Sequence, residues 1–186
     1  MSSKPDSSPI TLTLPAISCP ESFLETSAGR VIVPGWKVAE KKIPIIPSLV
    51  ADLTGYAREA AEQAHAPYSR FHVGAAVIMA DDPESRVFTG CNVENASYGA
   101  TVCAERNAIF AAVAAGFRRI SLLAVSTVST LDGPIEERSP CGVCRQVIRE
   151  FADASTLVIL DRGAEDTLGD LVDIDRLLPW GFKLEV

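Results

Sequence analysis

Long apolar segments are missing from this sequence of 186 residues. No apolar run approaches the roughly 20 residues that a transmembrane helix needs, so we expect no membrane span. Pro15 and Pro20 interrupt the apolar stretch near the N-terminus, and the first arginine is Arg30. We therefore expect neither a secretory signal nor a mitochondrial transit peptide. Together these absences predict a cytoplasmic protein.

Basic residues are also in short supply. The chain has 17 Lys and Arg against 24 Asp and Glu, which gives a formal net charge of -7. A protein that binds nucleic acid by neutralising many phosphates needs a broad basic surface, and this composition does not provide one. We expect a small, nearly neutral substrate instead. Since 47% of the residues are hydrophobic, the chain can bury a sizeable core in one main domain.

The five cysteines are too few and too unevenly placed for a secreted disulfide framework. Cys19 and Cys91 stand alone, whereas Cys103, Cys141 and Cys144 form a group. An odd number of cysteines in such an arrangement favours free thiols in a reducing compartment.

Two regions differ in composition. Residues 1–46 are rich in Ser, Thr and Pro, with a possible strand at 29–33, and we expect an N-terminal arm that is partly irregular or disordered. From residue 47 to 186 the pattern becomes that of a folded domain. Its first helix is predicted to run to about residue 66, with Ser48 at the capping position. The apolar stripe of this helix is expected at Leu49, Leu53, Tyr56 and Ala60.

Helices and strands alternate along the rest of the chain. Strands are predicted at 71–79, 86–93, 120–128 and 157–160, and helices at 101–115 and 141–151. This order favours a layered α/β sandwich in which one sheet lies between helices.

The grouped cysteines have the spacing of metal ligands. Cys141 and Cys144 are three residues apart at a predicted helix start, so their sulfurs can reach one ion, and Cys103 opens another predicted helix. Amide N–H groups at a helix start favour the thiolate, which is the form that binds metal. Three thiolates leave a fourth zinc position for water, and Glu105 offers a carboxylate that could shuttle protons nearby.

Four motifs in order make the chain resemble the cytidine deaminase superfamily, and specifically the small nucleoside deaminases with three cysteine ligands. They are APYSRFHVGAA at 66–76, GCNVENASY at 90–98, TVCAERNAI at 101–109 and SPCGVCRQ at 139–146. The resemblance extends from about residue 48 to the end. It implies that residues 47–186 form a catalytic domain, a three-layer α/β/α sandwich with a mixed sheet of about five strands.

The resemblance also implies an activity and an assembly. The expected reaction is hydrolytic deamination of cytidine and 2'-deoxycytidine to uridine and 2'-deoxyuridine with release of ammonia, as in pyrimidine salvage. One zinc ion per subunit and a homotetramer are implied as well. No nucleic acid or membrane is expected as a partner.

Residue roles follow from the same resemblance. Cys103, Cys141 and Cys144 are expected to bind zinc, a zinc-activated hydroxide attacks C4 of the pyrimidine, and Glu105 carries the protons. Three thiolates and one zinc dication leave a charge of -1 at the site. Arg106 is therefore expected to hydrogen-bond ligand sulfurs and offset that charge, with an ordinary solvent-exposed arginine as the alternative.

The substrate is expected to contact a second group of residues. The resemblance implies that Asn92 and Glu94 bind the ribose 3'-hydroxyl, that the ring of Phe71 packs on the pyrimidine, and that Ala104 contributes backbone contacts to the base. A polar turn for Asn92 and Glu94, and a core position for Phe71, are the competing interpretations. Tyr98 is expected to line the site or a subunit contact.

Two rival functions remain open from the sequence. One is a deaminase of a cytosine nucleoside antibiotic such as blasticidin S, which shares the core motifs. The other is a structural zinc module or redox pair, with Cys91 as the fourth zinc ligand. His65 and His72 are the only histidines, and neither is expected to bind the metal.

Overall fold

The N-terminal segment folds into a long antiparallel ribbon, where a partly irregular arm was expected. The computed structural model describes residues 7–163 and 167–184, so the first six residues of the expected arm lie outside it. Three pairs of strands are nested: β1 (Ile10–Leu14) with β6 (Lys41–Ile45), β2 (Ile17–Cys19) with β5 (Trp36–Val38), and β3 (Ser22–Thr26) with β4 (Gly29–Val33). Of these strands, β4 is the one that its composition predicts.

The first helix, α1 (Pro47–Ala61), starts without the expected serine cap. Ile46 occupies the capping position in an extended conformation, and Ser48 lies inside the first turn. Pro47 explains the shift, because its fixed φ and missing N–H suit the first helical position. The N–H groups of residues 62–64 bond to carbonyl oxygens three residues back, and that of His65 bonds to Asn92, so α1 ends before residue 66.

The buried face of α1 is formed mainly by residues that lie one position after those of the predicted stripe. Val50, Leu53, Ala57 and Ala61 are fully buried, whereas Tyr56 is nearly half exposed. Two apolar stripes run side by side on this helix, and the one with smaller residues allows close approach to the sheet. The prediction of an amphipathic helix was right, and Leu49 and Leu53 of the predicted stripe do pack against the core, but Tyr56 does not.

The central sheet has five strands in the order β11-β10-β9-β7-β8. Strands β9 and β10 are parallel, and the other neighbouring pairs are antiparallel. The mixed five-stranded sheet is therefore confirmed. Its strands are β7 (Val73–Met79), β8 (Val87–Cys91), β9 (Ile120–Thr127), β10 (Leu157–Leu160) and β11 (Asp170–Asp173).

Helices cover both faces of this sheet. α1 packs with Ala76 and Ile78 on one face, and the opposite face, which includes Ala75 and Val77, packs with α2 and α4. This arrangement confirms the three-layer sandwich. No helix among the described residues is long and apolar enough to cross a bilayer. The remaining helices are α2 (Ala104–Ala114), α3 (Ile135–Arg138), α4 (Gly142–Phe151) and α5 (Ile174–Leu177).

Two glycines let the helices lie directly on the strands. A Cβ atom at Gly74 would come within 1.9 Å of the Ala57 carbonyl oxygen, and one at Gly90 within 2.5 Å of the Ala108 backbone nitrogen. These distances are far below van der Waals contact. Gly74 therefore sets the position of α1, and Gly90 sets that of α2.

The base of the ribbon is packed against the central sheet of the main domain. Leu14, Ile43 and Ile45 form a buried cluster with Leu157 of β10. Lys41 adds ion pairs to Asp173 at 3.0 Å and Asp175 at 2.6 Å. The ribbon is thus fixed at its base to the edge of the sheet and to α5.

Candidate active site

Two helix starts hold the three grouped cysteines. Cys103 directly precedes α2 and Cys141 directly precedes α4, each in an extended conformation at the capping position. Cys144 lies in the first turn of α4 and is fully buried. The first N–H groups of a helix have no partner within it, so the backbone at both starts favours negative charge on these sulfurs.

The sulfurs are close enough to share one metal ion. The Sγ atoms of Cys103 and Cys141 are 3.9 Å apart, and the Sγ atoms of all three cysteines lie within 4.8 Å of one another. Tetrahedral zinc with Zn–S bonds of about 2.3 Å places its sulfur ligands about 3.8 Å apart. The donor set and its spacing therefore fit zinc.

The electrostatics of the sulfurs also suit a cation. A hydrogen bond from Cys144 and the nearby Arg106 lower the pKa of the Cys103 thiol to about 5, although burial opposes this. The same interaction with Cys103 raises the pKa of Cys144, since a second negative charge beside the first is unfavourable. A divalent cation would relieve this repulsion.

Within the described parts of the chain, no fourth side chain completes the cluster. It contains neither a histidine nor a carboxylate. Cys91 lies elsewhere and donates from its sulfur to the Gln63 carbonyl oxygen at 3.3 Å. A closed structural zinc site normally has four protein ligands, whereas a catalytic site has three and keeps one position open. The arrangement is therefore that of a catalytic site.

Glu105 lies beside the cluster without belonging to it. It occupies the first turn of α2 and is only 4% exposed. Burial, together with the negative charge on Cys103, raises the pKa of Glu105 to about 7. The carboxyl group can thus gain or lose a proton near neutral pH, as a proton shuttle must.

Arg106 reaches back over the same helix start. Its Nη2 donates to the Thr101 carbonyl oxygen at 2.9 Å and lies 3.9 Å from the Cys103 sulfur. Its Nε is buried and has no hydrogen-bond partner among the described residues. The guanidinium is therefore close to one ligand sulfur and is not a solvent-exposed group.

A cavity of about 380 Å³ opens onto this centre. That volume lies within the range of small-molecule sites. The cavity brings together Phe71, Asn92 and Glu94 of the predicted substrate residues, whereas Ala104 is fully buried and does not line it. Its wall is formed by Ser69, Phe71, Val73, Asn92, Glu94, Thr101, Cys103, Glu105, Val125, Thr127, Glu137, Ser139 and Cys141.

Asn92 and Glu94 both make hydrogen bonds inside the protein. The Asn92 amide accepts from the Val73 N–H and donates to the Phe71 carbonyl oxygen, each at 2.8 Å. Glu94 accepts from the Ser69 hydroxyl and from the Tyr68 and Ser69 N–H groups, and these bonds lower its pKa. Asn92 therefore supports the backbone beside the cavity, and Glu94 remains ionised within it.

Several cavity residues were missed by the sequence analysis. Ser69 lies inside the APYSRFHVGAA motif, where a hydroxyl near a carboxylate was a usable signal. Thr127 ends β9, Glu137 lies in the short helix α3, and Ser139 directly follows it. Periodicity gives no information about such segments, so their contribution could not be predicted.

A buried arginine supports that segment. Arg138 is 2% exposed and pairs with Asp170 at 2.7 Å. It also donates to the carbonyl oxygens of Gly133 and Asp161. These bonds tie the segment before Cys141 to the ends of β10 and β11, so Arg138 helps to position one wall of the cavity.

An outer cavity adjoins the first. Its wall shares Ser69, Glu94 and Thr101 with the inner cavity and adds Tyr68 and Tyr98. The two tyrosine rings meet edge to face with centroids 6.3 Å apart. Tyr98 is largely exposed, so it borders the entrance.

Comparison with known proteins gives a consistent picture. The family model described as "Cytidine and deoxycytidylate deaminase zinc-binding region" matches residues 49–160. Cytidine deaminase of Sporosarcina psychrophila is 43% identical over 138 residues, which cover 73% of this chain and 93% of that protein. Cytidine deaminase of Mycobacterium tuberculosis strain H37Rv is 42% identical over 128 residues, covering 67% and 90%.

Solved structures match as well. The crystal structure of cytidine deaminase from Burkholderia pseudomallei is similar with a TM-score of 0.61 and 42% identity, over 71% of this chain and 98% of that one. Cytidine deaminase from Mycobacterium tuberculosis matches with a TM-score of 0.57 and 37% identity, over 72% and 97%. The match thus spans nearly the whole of these proteins and leaves more than a quarter of this chain outside it.

Proposed function

This chain belongs to the cytidine and deoxycytidylate deaminase family, as a zinc-dependent hydrolase, and we propose that it deaminates cytidine and 2'-deoxycytidine to uridine and 2'-deoxyuridine. The observation that carries the proposal is the cluster of three cysteine sulfurs within 4.8 Å, beside a buried glutamate in one cavity. Its open ligand position distinguishes it from a structural zinc module.

The residues that would hold one zinc ion per subunit are Cys103, Cys141 and Cys144. When bound there, zinc supplies a Lewis acid that makes a water molecule acidic enough to act as a nucleophile near neutral pH. Arg106 lies 3.9 Å from the Cys103 sulfur, and its positive charge would offset the excess negative charge of three thiolates.

Glu105 would move the protons of the reaction. It takes a proton from the attacking water and delivers it to ring N3 of the pyrimidine as the new C4–O bond forms. It then passes the second water proton to the exocyclic nitrogen, which leaves as ammonia when the C4–N bond breaks. Its burial beside the sulfurs keeps bulk water from competing for these protons.

The rest of the cavity would select a nucleoside. The ionised Glu94 carboxylate can accept a hydrogen bond from the ribose 3'-hydroxyl, and Asn92 lies beside it on the wall. The Phe71 ring, on the same wall, can pack against the pyrimidine. A role in pyrimidine salvage follows from this substrate class, and we extend the proposal to a homotetrameric assembly.

A substrate screen with a metal assay tests this function. Purified protein is analysed for zinc and incubated with cytosine, cytidine, 2'-deoxycytidine, cytidine monophosphate and blasticidin S. We expect one zinc per chain, and loss of the ultraviolet absorbance of cytidine and 2'-deoxycytidine with release of ammonia. Deamination of blasticidin S alone, or zinc binding without any turnover, would overturn the proposal.

A further inference from the structure

The outer end of the N-terminal ribbon exposes an unusual amount of apolar surface. We call residues 22–33, which comprise β3, β4 and their turn, the ribbon tip. Every residue of both strands is exposed. Five large apolar side chains, namely Phe23, Leu24, Val31, Ile32 and Val33, are each between 50% and 63% exposed.

These side chains lie on both faces of the ribbon tip. Phe23 is paired with Ile32, and Leu24 with Val31. Because successive residues of a strand point to opposite faces, the first pair lies on one face and the second on the other. The ribbon tip is therefore apolar on both sides, which is not the pattern of a strand that packs on its own domain and faces water elsewhere.

A two-stranded ribbon of this kind needs a further surface. An isolated pair of strands is at best marginally stable in water, and stability requires a third strand or packing on one face. The base of the ribbon has such packing through Leu14, Ile43, Ile45 and Leu157. Within the described residues nothing comparable covers the ribbon tip, so its covering surface is expected from another molecule.

The distribution of charge along the chain indicates which molecule covers the ribbon tip. The ribbon tip carries one acid and one base, Glu25 and Arg30, which pair with each other at 2.6 Å. Residues 10–45 as a whole have four basic and three acidic side chains, whereas residues 46–186 have twelve basic and twenty acidic ones. A neutral apolar tip on a slightly basic ribbon suits the acidic body of this same protein. We propose that the ribbon tip packs on a second copy of the chain.

The chain also offers exposed apolar surface for such a contact. Val143 at the start of α4 and Trp180 and Leu184 near the C-terminus are each more than half exposed. The ribbon base lies close by, because Lys41 pairs with Asp175 of α5. Such exposed apolar side chains on the body could receive the ribbon tip of a second copy, and a reciprocal contact of this kind satisfies a two-fold interface.

This inference extends the proposed assembly but does not depend on the proposed reaction. The family model begins at residue 49, after the ribbon, so the ribbon contact is an addition to the matched catalytic part. Self-association through the catalytic part alone would leave the ribbon tip exposed. The two forms of assembly therefore predict different results for changes in the ribbon tip.

Sedimentation velocity over a wide concentration range tests the contact. The test variant replaces Phe23, Leu24, Val31 and Ile32 with threonine, which removes apolar surface but keeps β propensity. Its self-association should be at least about tenfold weaker than that of the unchanged chain. The control variant, Glu25→Arg with Arg30→Glu, keeps the ion pair and the apolar residues and should associate like the unchanged chain.

Amide hydrogen exchange of the unchanged protein gives a second measurement that needs no substitution. Exchange at residues 22–33 should slow as the protein concentration rises. A monomer at all concentrations, or equal association of the threonine variant and the unchanged chain, would overturn the inference. Cytidine turnover and zinc content are measured on the same samples, so loss of the reaction is distinguished from loss of the ribbon contact.

Discussion

Cys103, Glu105 and Arg106 are neighbours in sequence but have distinct surroundings. Cys103 lies directly before the helix, where a hydrogen bond from Cys144 and the nearby Arg106 lower the pKa of its thiol to about 5. Glu105 points into a buried environment that raises its pKa to about 7. One helix start thus supplies a thiolate and a carboxyl group able to exchange protons, because hydrogen bonds and Arg106 outweigh the effect of burial at Cys103, whereas burial dominates at Glu105.

Replacing Glu105 with glutamine should separate proton transfer from metal binding. The amide keeps the size of the side chain but cannot carry protons, so turnover of cytidine should fall by roughly 10²–10⁴-fold. Zinc content should remain near one per chain, since Glu105 lies outside the sulfur cluster. The exposed Glu150 of α4 provides the matched control, because Glu150→Gln should change neither quantity. A Glu105→Gln protein without zinc would identify Glu105 as a ligand and contradict the proposed role.

Substitution of Asn92 should lower the stability of the protein more than substitution of a residue that contacts only substrate. Its amide makes two hydrogen bonds of 2.8 Å to the backbone at Phe71 and Val73. The Asn92→Ala variant leaves these partly buried groups unpaired, so the free energy of unfolding should fall by about 1–3 kcal/mol. The value of kcat/KM for cytidine should fall as well. Urea unfolding and steady-state kinetics measure the two effects.

A matched asparagine separates this support from a general effect of the substitution. Asn95 is exposed, and its side chain accepts a hydrogen bond from the nearby Ser97 N–H. Asn95→Ala should therefore cost less stability than Asn92→Ala. Should Asn92→Ala lower kcat/KM while the free energy of unfolding stays unchanged, the amide would be acting on substrate alone.

At the level of elements, local patterns predicted the central sheet and its helices well. Two kinds of signal were strong. The apolar runs of β7, β9 and β10 indicate buried strands, and the spacing of the cysteines indicates helix starts at Cys103 and Cys141. β11 was missed, since Asp170 and Asp173 at its ends resemble a polar loop. The alternation ITLTL in β1 was a usable strand signal, but the prolines around it favoured an irregular arm.

Contacts across the cavity were beyond what local patterns can indicate. Glu137 and Thr127 line one cavity because α3 and the end of β9 meet in three dimensions. The ion pair between Arg138 and Asp170 holds α3 in this position. Neither residue belongs to a local sequence pattern that predicts such a pair. Motif residues such as Asn92 and Glu94 were found by resemblance, whereas their hydrogen bonds to the backbone needed the fold.

Gly90 should control the position of α2 and thereby of the zinc ligand at its start. A Cβ atom in the Gly90→Ala variant would lie 2.5 Å from the Ala108 nitrogen and 2.7 Å from the Ala104 carbonyl oxygen. The helix must move away, which should cost about 1–3 kcal/mol of unfolding free energy. Zinc affinity should also weaken, because Cys103 moves with α2. Thermal unfolding and competition with a zinc chelator measure these changes.

Gly55 of α1 provides the control for Gly90. If steric crowding explains the loss of stability in Gly90→Ala, an alanine at the uncrowded position 55 should not destabilise the protein. Apart from its chain neighbours and the backbone of its own helix, no atom of the described residues lies within 4 Å of a Cβ atom at that position. Gly55→Ala should therefore stabilise the protein by up to about 1 kcal/mol through helix propensity alone. Unchanged zinc affinity in both variants would show that the packing at Gly90 does not position the ligand.

For the whole molecule, the zinc centre joins parts of the chain that are far apart in sequence. Cys103 follows the strand β8 and its loop, whereas Cys141 and Cys144 begin α4 after β9 and α3. Both helices pack on the same face of the sheet, in the largest buried cluster. A metal bound at both starts would therefore act as a cross-link within the main core, in addition to its proposed chemical role.

Removing zinc should consequently destabilise the whole fold. A ligand that binds only the folded state, present at a thousandfold excess over its Kd, adds about 4 kcal/mol to the unfolding free energy. A chelator should therefore lower the Tm of the unchanged protein clearly. Cys141→Ser should abolish this dependence on the chelator, whereas Cys19→Ser should preserve it, because Cys19 is an exposed thiol of the ribbon. A Tm that does not respond to zinc would mean that the sulfurs are held together by the protein core alone.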